Sequence, residues 1–502
     1  MNFEELLRDI PYRLLQKGTR RVQELSLTDV ITTPEVGGEN ALFVCVDTPL
    51  RNSAHAMLAA YAMGCRLFLC RAGNLPGPEA TVLACDDPAA WVGTLASRVH
   101  GHPERHLTIF GITGSVGKTS AALLLARVLE HTGARVATVT TDGFSICSHR
   151  VPATPIVPDV ACMYRMMADM VANGVEFAVL EFSAYQLSQG VARGIPFMAV
   201  ALSGLEERHT ERAEFADFAA YCAAKAALYK ETAAFSILPA KGDPRAHECG
   251  ADTAARERDG FDTWIKSGRV LTYGQGGDLF ATQVRAVRGA NGVPALSLVL
   301  CEGKESVPVL LDVPTADVLP AVLVCALLAR VAGVSLADIG EALSHAQIPG
   351  RMECVACHEE RLVYVDAAYT ARDLAWALRT LDGLTRGRLC VLLGSVGGRA
   401  GERRAPLGEV ASTLADLVYI TADDPDSEDV RNICREILAG ASDPSRCRVI
   451  VDRAEAIRTA VRELCAGDVL LLAGKGACHS QLIHGVRVPF CEAQIVREAL
   501  CI

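Results

Sequence analysis

The chain has 502 residues, 50% of them hydrophobic and 22% charged, with a formal net charge of −10. That length exceeds what a single core organises and predicts about three domains, and the composition excludes intrinsic disorder. The acidic balance excludes a general nucleic-acid or anionic-membrane binder, because phosphate attraction needs a basic surface; a local basic pocket for a phosphorylated small molecule is compatible with it.

The opening segment, MNFEELLRDIPYRLL, places acidic side chains early and has no long apolar core. No secretory signal is expected there, and the expected compartment is the cytoplasm. The 19 cysteines, an odd number without a framework, then read as reduced thiols that mostly fill cores. Residues 1–105 alternate short apolar runs (41–46, 66–70, 81–84) with helical stretches such as 54–63, the pattern of a small α/β domain.

From residue 106 the pattern reads strand (LTIFGIT), glycine-rich loop, helix (SAALLLARVLEHTG) and strand (RVATVTT), the βαβ start of a parallel sheet. Further strands are expected at 177–181 and 197–202, and the polar stretch 241–277 reads as surface excursions. Residues 319–334 are the most apolar helical stretch, but Arg330 interrupts it and it is short for a membrane span; a buried helix is expected. This second domain is expected to run over 106–347. After Pro349-Gly350 a third α/β unit, 348–502, begins, with strands at 362–365, 389–393, 417–421 and 469–473. Cys354, Cys357 and His358 spell the c-type haem attachment pattern. That attachment follows export, and the segment reads as a strand entering a charged turn, so no haem is expected.

The segment Gly111-Ile112-Thr113-Gly114-Ser115-Val116-Gly117-Lys118-Thr119-Ser120 lies between a strand and a helix. Glycines let backbone N–H groups curl around phosphate oxygens, and a helix N-terminus adds a favourable dipole. Lys118 supplies a point charge, and the Thr119 hydroxyl suits Mg²⁺. The strict phosphate-loop spelling wants glycine where Ile112 stands; here the glycines fall at 111, 114 and 117. A tight turn before a helix is the alternative, and the Gly-Lys-Thr run in its strand–loop–helix setting favours a nucleotide phosphate. Downstream, Glu181 closes an expected strand, where a carboxylate is either a hard-cation ligand or merely a surface group.

The phasing G-x-x-G-x-x-G-K-T resembles that of the Mur ligases of peptidoglycan synthesis, closest to their tripeptide-forming, MurE-like branch, and the resemblance continues over nearly the whole chain. It implies an α/β protein of three domains: a small α/β N-terminal domain facing a UDP-linked substrate, a P-loop-type central ATPase domain with a parallel sheet, and a Rossmann-like C-terminal domain. It implies ATP and Mg²⁺, with Gly114, Ser115, Gly117, Lys118, Thr119 and Ser120 on the nucleotide. VLEFSAYQ resembles the family stretch Glu-Val-Ser-Ser-His, which implies Glu181 as a metal ligand and Ser183 on the substrate side. His209, in LEERHTER, resembles a histidine that helps hold a second Mg²⁺. Lys225, in AAKAALYK, matches a family lysine carbamylated by CO₂ into an oxygen ligand. Lys118, His209 and Lys225 are thereby the implied catalytic groups, and Thr119, Glu181, His209 and Lys225 the implied metal set.

In the third domain, IPGRME implies Arg351 near the ATP phosphates and VYVDAAYTARDL implies Asp366 near the ribose. GSVGGRAGERRAPLG resembles a basic glycine-rich loop and keeps Arg399, Arg403 and Arg404, a composition suited to anionic groups. TADDPDSED resembles the amino-acid selector, with Asp423, Asp424, Asp426 and Glu428 in register, and AGKG supplies Lys475. The diaminopimelate-adding form has arginine where Asp426 stands, gripping a distal carboxylate that an aspartate would repel; an ammonium-tipped substrate such as lysine or ornithine fits better electrostatically.

Several positions depart from the resemblance. Thr32-Thr33-Pro34 replaces Asp-Ser-Arg, Asp317 and Pro320 replace two asparagines implied near adenine, Tyr185 replaces histidine, Val191 a substrate-side arginine, and Cys478 a carboxylate implied near the incoming amine. The resemblance implies an ATP-dependent amide-bond ligase, a monomer by default, that joins an amino acid to a UDP-linked muramoyl peptide through an acyl phosphate. The alternative is a paralogue that binds ATP but has an altered substrate or has lost activity.

Overall fold

The computed structural model describes residues 1–19, 26–34, 38–48, 52–71, 73, 75–151, 158–205, 215–231, 233–240, 265, 268–289, 292–398 and 401–501. By compactness the chain forms two units, Met1–Asp278 with Val324–Val334, and Leu279–Leu323 with Ser335–Ile502.

The first unit holds two sheets. Strands β1 (Arg13–Gln16), β2 (Asp29–Ile31), β3 (Ala41–Val44), β4 (Leu67–Cys70) and β5 (Thr81–Ala84) take the order β1-β5-β4-β3-β2, antiparallel only at β1. Every residue of β3, β4 and β5 is buried, which is why they read as continuous apolar runs rather than as alternation. The helix Ser53–Ala62 starts where the Asn52 side chain accepts the N–H groups of Ala54 and His55, satisfying donors that a first helical turn leaves open.

The second sheet contains β6 (Thr108–Thr113), β7 (Val136–Thr140), β8 (Gly143–Ile146), β9 (His149–Arg150), β10 (Phe177–Glu181), β11 (Phe197–Leu202), β12 (Ala233–Pro239) and β13 (Arg269–Tyr273), in the order β13-β12-β11-β6-β10-β7-β8-β9. All are parallel from β13 to β7, and β8 and β9 turn back. Because β6 lies between β10 and β11, the loops leaving these three strands converge at one sheet end, where open α/β sheets bind ligands. The N-terminal sheet packs on this domain through the helix Val160–Ala172. Arg165 reaches Asp29 at 2.8 Å, and the Thr32 hydroxyl bonds Asp159, the cap of that helix.

In the second unit, β14 (Leu279–Arg288), β15 (Pro294–Glu302) and β16 (Glu305–Leu311) form an antiparallel meander. Strands β17 (Glu353–His358), β18 (Arg361–Asp366), β19 (Leu389–Leu393), β20 (Leu417–Ile420), β21 (Cys447–Val449) and β22 (Val469–Ala473) form a sheet in the order β17-β18-β22-β19-β20-β21. It is parallel except at β17. Helices Ala371–Asp382, Arg404–Leu414 and Val430–Ala439 bury its one face; Arg453–Arg462 and Glu492–Leu500 bury the other. A hairpin of β23 (Ser480–Ile483) and β24 (Val486–Pro489) follows.

These sheets give the three-domain α/β fold that the sequence implies. Two readings are corrected. The stretch 241–277 is not wholly irregular, since it contains β13, and the meander β14–β16 has no counterpart in the sequence reading. β13 arises from pairing with a segment remote in the chain, Phe235 lying beside Arg269, which local periodicity does not report, whereas the meander is two successive hairpins, Arg288 beside Pro294 and Glu302 beside Glu305. Cys354, Cys357 and His358 lie on β17, and Glu359 and Glu360 turn with positive φ, the expected strand and charged turn. Among the described residues no helix is long and apolar enough to cross a membrane.

Candidate active site

The loop after β6 is built around two left-handed glycines, Gly114 at φ 151° and Gly117 at φ 77°, conformations that cost little only without a side chain. A Cβ on Gly114 would also lie 2.2 Å from Ser203 Oγ and 3.0 Å from Gly204 O. The end of β11 therefore braces the loop. Ser115 N–H donates to Gly204 O at 2.8 Å, and the Ser203 hydroxyl donates to Val116 O. The helix Lys118–His131 starts directly behind, with Ser120 half-buried in its first turn.

Glu181, at the end of β10, is 4% exposed and its carboxylate meets this helix start. Thr119 Oγ1 donates to Glu181 Oε2 at 2.8 Å, Thr141 N–H donates to the same oxygen at 3.2 Å, and the two threonine hydroxyls are 3.1 Å apart. Lys118 Nζ donates to Ser115 O at 3.3 Å and lies 3.9 Å from Glu181 Oε1. The buried Glu181 carboxylate and the Thr119 and Thr141 hydroxyls beside it are hard oxygen donors of the kind that suits a small cation such as Mg²⁺.

Lys225 closes the cluster from the helix Phe218–Ala226, which Asp217 caps. Its side chain is 1% exposed, its Nζ donates to Gly114 O at 2.6 Å, and it lies 4.6 Å from the centre of the Tyr221 ring. Tyr221 in turn meets Ser115 Oγ at 3.0 Å. Burial pushes the Lys225 amine well below the ordinary lysine range, and the nearby Lys118 charge pushes it the same way. Ser203, Tyr221 and Thr141 were absent from the sequence reading; only strand-end or helix placement could have flagged them.

Ser183 acts locally, its hydroxyl and Gln186 forming a capping box on the helix Ala184–Ser188. Val191 is core, 2% exposed, so no substrate-facing group replaces the family arginine there. His209 lies outside the described residues, as does Arg399.

Three groupings form in the second unit. In the turn before β17, Gly350 has φ 64°, and a Cβ on it would lie 2.0 Å from Ala477 N, so the PGRM turn fits directly against the loop holding Lys475. Arg351 Nη1 donates to Gly350 O at 3.0 Å. Asp366, at the end of β18, accepts the Met352 N–H at 2.7 Å. Burial raises its pKa to about 6, against the lowering by Arg351 and two backbone N–H groups. A carboxyl raised in the folded state contributes stability that is full below its unfolded pKa of 3.8 and is lost as pH rises through about 6. Asp366→Asn should therefore stabilise the ligand-free protein by about 2–3 kcal/mol at alkaline pH and by little at acid pH, read as urea midpoints at both.

Lys475 has a side chain 1% exposed and sits between two selector carboxylates, 2.6 Å from Asp424 Oδ1 and 3.2 Å from Asp423 Oδ1. Asp426 adopts φ 51° and accepts the Gly485 N–H at 2.7 Å, joining the selector turn to the hairpin. Glu428 instead belongs to a separate ion group. Arg404 bonds it at 2.7 and 2.8 Å and Glu436 at 2.9 Å. Arg404, with help from the Gly398 N–H, holds the Glu428 carboxyl at about 2. Both partners in that pair are thus engaged within the protein. Sequence reasoning also missed Arg453, fully buried, which donates to Glu492 Oε1 at 2.8 Å, Ala422 O at 3.0 Å and Ala473 O at 2.9 Å.

The Mur ligase middle domain matches residues 112–257, and the Mur ligase glutamate ligase domain matches residues 350–476. The chain is similar to a protein of Rhizobium meliloti named UDP-N-acetylmuramoyl-L-alanyl-D-glutamate–2,6-diaminopimelate ligase, 31% identical over 93% of this chain and 95% of the relative. A protein of the same name from Corynebacterium glutamicum is 31% identical over 85% of this chain and 81% of its own length. Among solved structures, one of a ligase of that name aligns over 100% of this chain and 99% of its own, at TM-score 0.63 and 22% identity. The MurF ligase of Thermotoga maritima in complex with ADP aligns over 94% and 96%, at TM-score 0.57 and 17% identity. With its phosphate loop, its buried carboxylate and lysine, and relatives of this identity along most of its length, the chain belongs to the Mur ligase family of ATP-dependent amide-bond-forming ligases.

Proposed function

We propose that this enzyme adds the third amino acid to UDP-MurNAc-L-Ala-D-Glu, working as a cytoplasmic monomer. Its N-terminal domain (1–105) would face the UDP portion, its central domain (106–347) ATP, and its C-terminal domain (348–502) the amino acid. The observation that carries this reading is the joining of Thr119, Glu181 and Lys118 behind the phosphate loop, with Lys225 buried beside it. In this reading the backbone N–H groups of 114–119 and Lys118 draw charge off the γ-phosphate. The substrate carboxylate attacks that phosphate, and the incoming amine then displaces phosphate from the acyl phosphate. Mg²⁺ held by Glu181 and Thr119 supplies charge neutralisation when bound.

Lys225 is proposed to react with CO₂. Kept neutral by burial, the amine is the nucleophilic form; its nitrogen adds to the CO₂ carbon and gives up one proton to solvent, and the resulting carbamate anion is attracted to Lys118, which would repel an ammonium there. The carbamate nitrogen keeps one N–H for Gly114 O. His209 and Arg399 remain the proposed second-metal and anion groups, Arg351 and Asp366 the proposed nucleotide groups, and Ser183, Asp423, Asp424 and Lys475 the proposed substrate groups.

The amino acid is proposed to carry a side-chain ammonium and no distal carboxylate. Asp426, tied at 2.7 Å to Gly485 N–H, presents a carboxylate where a distal carboxylate would be repelled, and like-charge juxtaposition costs several kcal/mol. With UDP-MurNAc-L-Ala-D-Glu as acceptor, phosphate release should be at least about 10-fold faster with lysine or ornithine than with diaminopimelate, with product masses to match. Preference for diaminopimelate would reverse the assignment of Asp426; release that needs neither substrate would remove the ligase reading.

A further inference from the structure

We propose that Cys478 and Cys491 form a reversible disulfide that closes the turn carrying Lys475 onto the start of the last helix. The β23–β24 ladder pairs Ser480 with Pro489 and Gln481 with Val488. One step further out, Phe490 N–H still donates to His479 O at 2.9 Å, so the register continues past the strand ends and sets Cys478 opposite Cys491. Hydrogen-bonded and non-hydrogen-bonded pairs alternate along an antiparallel ladder. The His479–Phe490 pair is bonded, and Pro489, which has no N–H, stands at an unbonded one. Cys478 and Cys491 then also form an unbonded pair, the kind whose Cα atoms are about 4.5 Å apart with side chains close together, within the span of a disulfide.

The side chains share a face. Arg487 Nη1 donates to Ser480 Oγ at 3.2 Å, and Cys478 Sγ lies 3.7 Å from that same oxygen. Cys491 falls on the face of Arg487 and Pro489, with an extended backbone at φ −131° and ψ 107°. Neither cysteine is in a disulfide and both are partly exposed, hence open to a small oxidant, the Cys478 thiol donating to Ser480 O at 3.4 Å in the reduced form.

The bond would act on the amino-acid side. Cys478 N–H donates to Lys475 O at 3.0 Å, closing the turn that holds Lys475 on Asp423 and Asp424. Glu492, next to Cys491, anchors Arg453, which grips the carbonyls of Ala422 and Ala473. A bridge between 478 and 491 clamps the turn to this buried frame and removes the freedom needed to admit an incoming amine. With hydrogen peroxide as oxidant, one thiolate sulfur attacks a peroxide oxygen and breaks the O–O bond, giving a sulfenic acid and a hydroxide that takes up the proton the thiol released and leaves as water. The second thiol attacks that sulfur, forming the S–S bond and releasing a second water. Two electrons pass from the thiols to the peroxide, and a dithiol reverses the bond by exchange.

The bond itself stands on the hairpin alone, while its effect on turnover rests on the ligase reading. The full-length protein is treated with hydrogen peroxide, its remaining thiols are alkylated, and it is digested with trypsin without reduction. Cleavage after Lys475, Arg487 and Arg497 leaves Cys478 in residues 476–487 and Cys491 in residues 488–497, each with a single cysteine. The expected result is a linked peptide pair that dithiothreitol separates, with loss of substrate-dependent phosphate release that dithiothreitol restores. Cys491→Ser should retain the activity that the oxidised wild type loses. Absence of the linked pair overturns the bond, and a linked pair with unchanged phosphate release overturns its control of turnover. An inactive reduced enzyme counts against the ligase reading instead, and the peptide pair still decides the bond.

Discussion

Lys118→Ala is expected to lower substrate-dependent phosphate release from ATP roughly 10³-fold, the loss typical of removing a positive group from a phosphoryl-transfer site. That corresponds to about 4 kcal/mol of transition-state stabilisation. The fold should barely respond. Lys118 makes a long 3.3 Å bond to Ser115 O and a 3.9 Å approach to Glu181, and Glu181 keeps both its Thr119 hydroxyl and its Thr141 N–H without it. Thermal unfolding within a few degrees of wild type, alongside the lost turnover, would separate a chemical role from a structural one. Wild-type turnover in the variant would take the phosphate loop out of the mechanism.

The second large effect is expected at Lys225. Lys225→Ala should lower turnover about 10²–10³-fold, and a short carboxylic acid in the buffer should restore part of it by supplying the missing oxygens. The burial of Lys225 and its depressed pKa make a charged lysine there unfavourable, which is what distinguishes a carbamate site from an ordinary helix lysine. Isotope-labelled bicarbonate should give a carbamate carbon resonance by NMR in the wild type that disappears in Lys225→Ala. A wild type without that resonance, turning over normally, would leave Lys225 as a buried brace of Gly114 and nothing more. Lys225→Arg should not restore turnover, since a guanidinium stays charged and does not carbamylate.

The phosphate loop was legible in the sequence because its chemistry is contiguous. Glycines, lysine and threonine within one strand–loop–helix passage carry both the backbone shape and the charge. The buried strands Leu389–Leu393 and Val469–Ala473 were legible for a similar reason, as apolar runs bounded by turns. Asp423, Asp424 and Lys475 could be read as a site only through resemblance, because Lys475 lies 51 residues from the Asp424 it touches.

What the tertiary structure alone decided is which polar groups lose water and which partners replace it. It brings Glu181 onto Thr119 across 62 residues and Lys225 onto Gly114 across 111. It occupies Glu428 with Arg404, ties Asp426 to Gly485, and buries Arg453 between two strand ends. It also creates β13, a short strand paired with the remote β12. Local sequence determines turn shape and apolar periodicity, whereas desolvation and strand pairing depend on neighbours that only the folded chain supplies.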